Sequence, residues 1–145
     1  MYKHILIPTD GSPLSEKAVK QGLALAKSIG AKVTAITVSQ TFHTFSLDPE
    51  VVTETPAHYE EHCAARAQRY LSAAQDGASA ASVAYEGMHV FHDHPYEAII
   101  NAAKDKGCDL IFMASHGRKG MSAVVLGSET VKVLTHSKIP TLVCR

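Results

Sequence analysis

No tryptophan occurs among the 145 residues and only five tyrosines do, so any bound chromophore would stand out in the ultraviolet spectrum of the purified protein. An excess of charge of either sign is missing too. Lys plus Arg equals Asp plus Glu at 14 each, which leaves no net field to recruit nucleic acid, an acidic lipid surface or a strongly charged partner. Cys63, Cys108 and Cys144 are odd in number and spaced neither as a disulfide framework nor as zinc ligands, so reduced thiols in a cytoplasm are the simple expectation. Long hydrophobic runs are lacking. The apolar stretch between Met1 and Pro8 is far too short for a signal peptide or a membrane span, and nothing later comes closer. Catalytic signatures are wanting as well. There is no Walker A Gly-Lys-Ser/Thr, no Gly-x-Gly-x-x-Gly, no Gly-x-Ser-x-Gly elbow and no Ser-Gly-Gly loop, and Ser12 interrupts the Asp-x-Asp that a haloacid-type hydrolase needs. We therefore do not expect an enzyme.

What the chain does have is 46% hydrophobic residues, enough to bury a real core, in strands that alternate with helical patterns. His4 to Ile7 reads as a strand ending at Pro8. Ser12 then caps a helix that Pro13 opens, with Ala18, Gly22, Leu25, Ala26 and Ile29 on one stripe and Gly30 as its stop. Val33 to Val38 is a β-branched strand, followed by a long polar and aromatic connection from Ser39 to Pro56. Cys63, Ala67, Tyr70, Leu71 and Ala74 mark a second helix, read from His58 to Asp76. Ser82 to Gly87 is a weaker third strand. Pro95 opens a third helix that carries Ile99, Ile100 and Ala103 and ends at Gly107; Leu110 to Ala114 is the strongest strand. A helix from Ser128 to His136 and a strand from Thr141 to Cys144 complete the chain. No linker, repeat or low-complexity segment appears, so residues 1–145 read as one domain. Five strands separated by helices imply an open parallel sheet with helices on both faces, a Rossmann-like α/β fold, and we take the order 3-2-1-4-5.

In such sheets ligands sit beyond the carboxyl ends of the strands, where the strand order reverses. Two loops of suitable chemistry leave strands 1 and 4. Pro8-Thr9-Asp10-Gly11-Ser12 follows the first, and Met113-Ala114-Ser115-His116-Gly117-Arg118 with Gly127-Ser128 follows the fourth. Backbone N–H groups of a Gly-rich turn and of a helix N-terminus converge on anions, and the helix dipole favours negative charge. Asp10 can accept hydrogen bonds from ribose hydroxyls or a base amine, Val38 offers backbone groups to an adenine edge, and the amides of Gly117, Gly127 and Ser128 can hold phosphates. Bland readings stand beside these. Asp10-Gly11-Ser12 is equally a turn and N-cap, Gly127-Ser128 a simple helix cap, and His116, Arg118 and Lys119 solvated loop residues, although Arg118 suits a phosphate. His89, His92 and His94 read as a loop before a helix without a zinc spacing. Phe42, Phe45 and Tyr59 read as packing for the long connection.

Along its whole length the chain resembles the universal stress protein family, most specifically in Pro8 to Ser12, Cys108 to Arg118, Leu126-Gly127-Ser128 and the tail Lys138 to Cys144. The resemblance implies a nucleotide-binding α/β fold, a stress-induced cytoplasmic protein and a homodimer joined through the last strand. One branch of the family binds ATP through Gly, two residues, Gly, nine residues, then Gly and Ser or Thr. Here Ala114 stands at the first position, while Gly117, Gly127 and Ser128 keep the others. A strand end needs no positive φ, so the extra methyl is expected to be tolerated. The nucleotide-binding set is thus Pro8, Thr9, Asp10, Val38, Met113, Ala114, Ser115, His116, Gly117, Arg118, Gly127, Ser128, Glu129 and Thr130, with ATP as ligand and Mg²⁺ held mainly by phosphates. Three functions remain open: a regulatory ATP-binding dimer, a slow nucleotide hydrolase or phosphotransferase using His116 or Asp10 as base, and a nucleotide-free structural dimer.

Overall fold

In the computed structural model, residues 1–43, 55–118 and 125–145 are described. Lys119 and Phe45, named above, lie outside them, as does most of the long connection. The elements run β1 (His4–Pro8), α1 (Pro13–Ile29), β2 (Lys32–Ser39), α2 (Pro56–Ala81), β3 (Tyr85–Phe91), α3 (Pro95–Lys106), β4 (Leu110–Ala114), α4 (Ser128–His136) and β5 (Thr141–Cys144). All four strand pairings are parallel and the order is β3-β2-β1-β4-β5. β1 lies between β2 and β4, with Ile5 opposite both Val33 and Leu110.

Alternation along the strands sends successive side chains to opposite faces, and both faces are covered. Ile5, Ile7, Val33, Leu110 and Phe112 pack against Ala18, Leu23 and Ala26 of α1 and Ala78 of α2. Leu6, Ile36, Ile111 and Met113 pack against Ile99, Ala102 and Ala103 of α3 and Val133 of α4. Ile5, Leu6, Ile7, Ile36 and Ile111 are fully buried, so the middle of the sheet is the core of the fold. Among the described residues no helix is long and apolar enough to cross a membrane. Cys63, Cys108 and Cys144 are buried free thiols.

Helix ends follow local chemistry. Ser12 caps α1 by accepting from the Ser15 N–H at 3.3 Å, and Gly30 and Gly107 close α1 and α3 in the left-handed region. The largest differences from the sequence reading lie at the end of α2 and in β3. α2 continues past Asp76 to Ala81, because Gly77 is accommodated within the helix and Ser82 supplies the left-handed cap at φ +56°, its N–H donating to Ala78 and Ser79. The third strand is consequently displaced from Ser82–Gly87 to Tyr85–Phe91. Gly87, read as its end, lies in its middle opposite Ala35.

Asp109 ties the chain start to the sheet. Its carboxylate accepts from the Lys3 N–H at 2.9 Å and the His4 N–H at 3.0 Å. Burial raises its pKa, but the N–H groups of His4 and Lys3 outweigh that and hold the carboxyl below its ordinary range. Asp109→Ala is expected to cost about 1 kcal/mol, a small value for a charged hydrogen bond because solvent screens the site. A depressed folded pKa means this contribution is complete above the unfolded carboxylate value, about 3.9, and is lost as pH falls through the folded one. Thermal melts of wild type and variant should therefore differ at neutral pH and converge in acid.

Candidate functional site

Because β1 and β4 are neighbours, the loops leaving their carboxyl ends share one crevice, a cavity of about 1110 Å³. The first loop is laced to β2: the Thr9 N–H donates to Ile36 O at 2.9 Å, and the Thr37 hydroxyl donates to Thr9 O at 3.0 Å. Thr9 and Ser15 hydroxyls meet at 3.2 Å. Asp10 links the two loops. One carboxylate oxygen accepts from the Ser12 N–H and the other from the Arg118 N–H, each at 3.0 Å. Burial pushes this carboxyl up, but hydrogen bonds from Ser12, from the Arg118 backbone and from Ser15 prevail, so Asp10 stays ionised below the ordinary carboxylate range.

The glycines set how closely these segments approach. Gly11 turns the first loop at φ +74°, and a Cβ there would lie 2.2 Å from the Tyr70 ring. At Gly117 a Cβ would come within 2.5 Å of an Asp10 carboxylate oxygen, and at Gly127 within 3.0 Å of the His116 Cα. Gly127 also donates its N–H to Ser115 O at 2.7 Å, folding the start of α4 back onto the end of β4. Among the described residues no side chain caps α4 at Gly127.

Of the expected nucleotide-binding residues, Pro8, Thr9, Asp10, Val38, Met113, Ala114, His116, Gly117, Arg118, Gly127, Ser128, Glu129 and Thr130 line the crevice. Ser115 is placed differently. It is buried, with its N–H donating to Cys144 O and its carbonyl taken by Gly127, and it does not contribute to the lining. Several lining residues are already engaged. Thr130 donates its hydroxyl to Ala114 O at 3.0 Å, and Glu129 accepts from the Tyr96 N–H at 2.8 Å and from Lys132 at 3.2 Å, which joins α4 to the start of α3. Ala114 has no positive φ, since among the described non-glycine residues only Ser82 does. Its methyl belongs to the apolar cluster that contains Phe112 and Cys144.

The sequence reading missed one wall. Tyr59, His62, Cys63, Arg66, Ala67 and Tyr70 of α2 also line the crevice. The stripe Cys63-Ala67-Tyr70 was visible as helical periodicity, but the same stripe faces the core at Ala74 and Ala78 and the crevice at its start, a division that only packing makes. Phe42 packs on Tyr59 with centroids 5.4 Å apart, and Tyr59 donates to Gln40 O at 2.8 Å. His89 corrects another expectation. It lies in β3, not in a loop, with Nε2 2.9 Å from the Ser39 hydroxyl, and burial holds its pKa below the ordinary value. His92 and His94 do occupy the turn before α3, where His92 sits 3.7 Å from Glu97. Among the described residues no group of three or more His, Cys, Asp or Glu is placed to hold a metal ion.

Comparison with known proteins bears on the family and the fold. The family model described as the universal stress protein family matches residues 1–145. A universal stress protein of Methanocaldococcus jannaschii is 31% identical over 147 aligned positions, covering 100% of this chain and 83% of the relative. The solved structure of a universal stress protein from Lactobacillus plantarum superposes with a TM-score of 0.84 at 25% identity, covering 99% of this chain and 98% of that one. At the level of the fold alone, a universal stress protein solved in complex with cAMP matches with a TM-score of 0.70 at 24% identity, covering 99% of this chain and 97% of that one. With the sheet order, the paired loops and a full-length family match in agreement, the chain belongs to the universal stress protein family.

Proposed function

We propose that the crevice binds an adenine nucleotide, ATP in the first place, and that the protein acts as a cytoplasmic stress-response regulatory module in dimeric form. The observation that carries this reading is the convergence of the Asp10 loop, the Gly117 turn and the uncapped start of α4 on one cavity. Its volume of about 1110 Å³ is at or slightly above the usual upper range of small-molecule sites, about 1,000 Å³, so a nucleotide has room. The glycines supply backbone that approaches closely without Cβ atoms, and helix-terminal amides suit phosphates. Mg²⁺ accompanies the phosphates in this reading, with the protein contributing little to its shell. The cAMP bound by a neighbour of the same fold is in keeping with an adenine ligand.

Binding without turnover is part of the proposal. The Asp10 carboxylate accepts from two backbone N–H groups, and His116 Nδ1 lies 3.3 Å from the Ser115 hydroxyl, which supports a binding role for both over that of a general base. What supports a homodimer is β5, an edge strand that among the described residues pairs only with β4, and the exposed apolar side chains beside it. Leu142 is 41% exposed, Val131 45% and Leu134 43%.

Calorimetric titration with ATP should give saturable heat; none up to millimolar ATP would falsify the nucleotide reading. Asp10→Ala is expected to weaken ATP binding by about 1–3 kcal/mol, the span for a hydrogen bond to a charged group. Ala114→Gly should change affinity by no more than about 1 kcal/mol, the scale of an Ala/Gly backbone effect, because the methyl already packs in the core. A large gain instead would mean that this methyl obstructs phosphate. Light scattering should report a dimer, and removing Leu142 to Arg145 should convert it to monomer.

A further inference from the structure

Arg118 and Tyr70 meet across the mouth of the crevice. Tyr70 projects from α2, and its ring lies against Gly11 so closely that even a Cβ there would overlap it. The ring is half-buried and can move little without displacing the first loop. Its hydroxyl accepts a hydrogen bond from the Arg118 guanidinium. The guanidinium carbon is 5.4 Å from the ring centroid, near the far limit for attraction to a ring face, so the hydroxyl is the main partner. On its other side Arg118 is fixed by its backbone N–H to Asp10. Among the described residues no carboxylate forms an ion pair with the guanidinium, and Arg118 is one of the residues that line the crevice. A planar fork with one donor anchored and the others free is suited to a phosphate oxygen, provided its direction is fixed beforehand.

We propose that Tyr70 is a positioning residue: its hydroxyl holds the Arg118 guanidinium at the crevice mouth as the side-chain countercharge for the nucleotide's phosphates. The inference rests on the nucleotide reading above and adds the residue on α2 that organises the phosphate end. Neither the Gly-rich motif nor the first loop contains it. Tyr70 itself touches no phosphate; it acts through Arg118.

The test is a double-mutant cycle on the full chain, with ATP and adenosine as ligands and titration calorimetry as readout. Tyr70→Phe keeps the ring on Gly11 and removes only the hydroxyl. It should weaken ATP binding about two- to tenfold, the span of one net hydrogen bond, and leave adenosine within about twofold. Arg118→Gln should weaken ATP at least as much, again sparing adenosine, and Tyr70→Phe should add nothing in the Arg118→Gln background. Equal losses for ATP and adenosine, an undiminished Tyr70→Phe effect without Arg118, or no effect of Tyr70→Phe would each overturn the proposal while ATP binding by the wild type stands. Wild type that binds adenosine but gains nothing from phosphates would overturn it as well. Wild type that binds neither ligand would remove the nucleotide reading and this inference with it.

Discussion

The site depends on the Asp10 carboxylate. One oxygen closes the turn that starts α1 and the other takes the Arg118 N–H, so a single ionised side chain sets the spacing of two loops whose sequence positions are far apart. Its charge makes both bonds stronger than neutral ones, and the bonds in turn keep it ionised below the ordinary carboxylate range. The contact also explains Gly117. The Asp10 oxygen occupies the space where any side chain would begin, so the phosphate-type turn is shaped by the first loop as much as by its own residues.

This tie is possible only because β1 and β4 are adjacent in the sheet. The long buried run of β1 pairs with β2 on one side and β4 on the other, and the direction change between them opens the crevice above their carboxyl ends. Helices add the walls: α2 on the side of the first loop, the starts of α3 and α4 on the other. Glu129 joins the last two by accepting from the Tyr96 N–H, which lets one side chain serve both the lining and the packing.

A chain with no net charge can still assemble a local electrostatic preference. Arg118 and the first turn of α4 border one cavity, while the Asp10 and Glu129 carboxylates accept from backbone N–H groups. The result is a mouth suited to anions beside carboxylates that are already satisfied. Neutral composition is thus compatible with the small phosphate-bearing ligand proposed above.

Much of the fold was legible in the residues, because buried parallel strands read as apolar runs and because Ser12, Pro13, Gly30, Pro95 and Gly107 punctuate helices by local stereochemistry. The two Gly-bearing loops were legible for the same reason: turn chemistry is local. The end of α2 and the start of β3 were not, since Gly77 and Gly87 resemble breaks and are instead absorbed by contacts with other elements. Ser115 looked like a loop ligand, yet bonds to Cys144 and Gly127 bury it. Sequence by itself determined the element types, the alternation that makes a parallel sheet and the residues of both loops. Only the tertiary structure decided that Asp10 meets Arg118, that Tyr70 of α2 reaches the same place and that the Ala114 methyl turns into the core, because those contacts join segments whose separation along the chain carries no periodic signal.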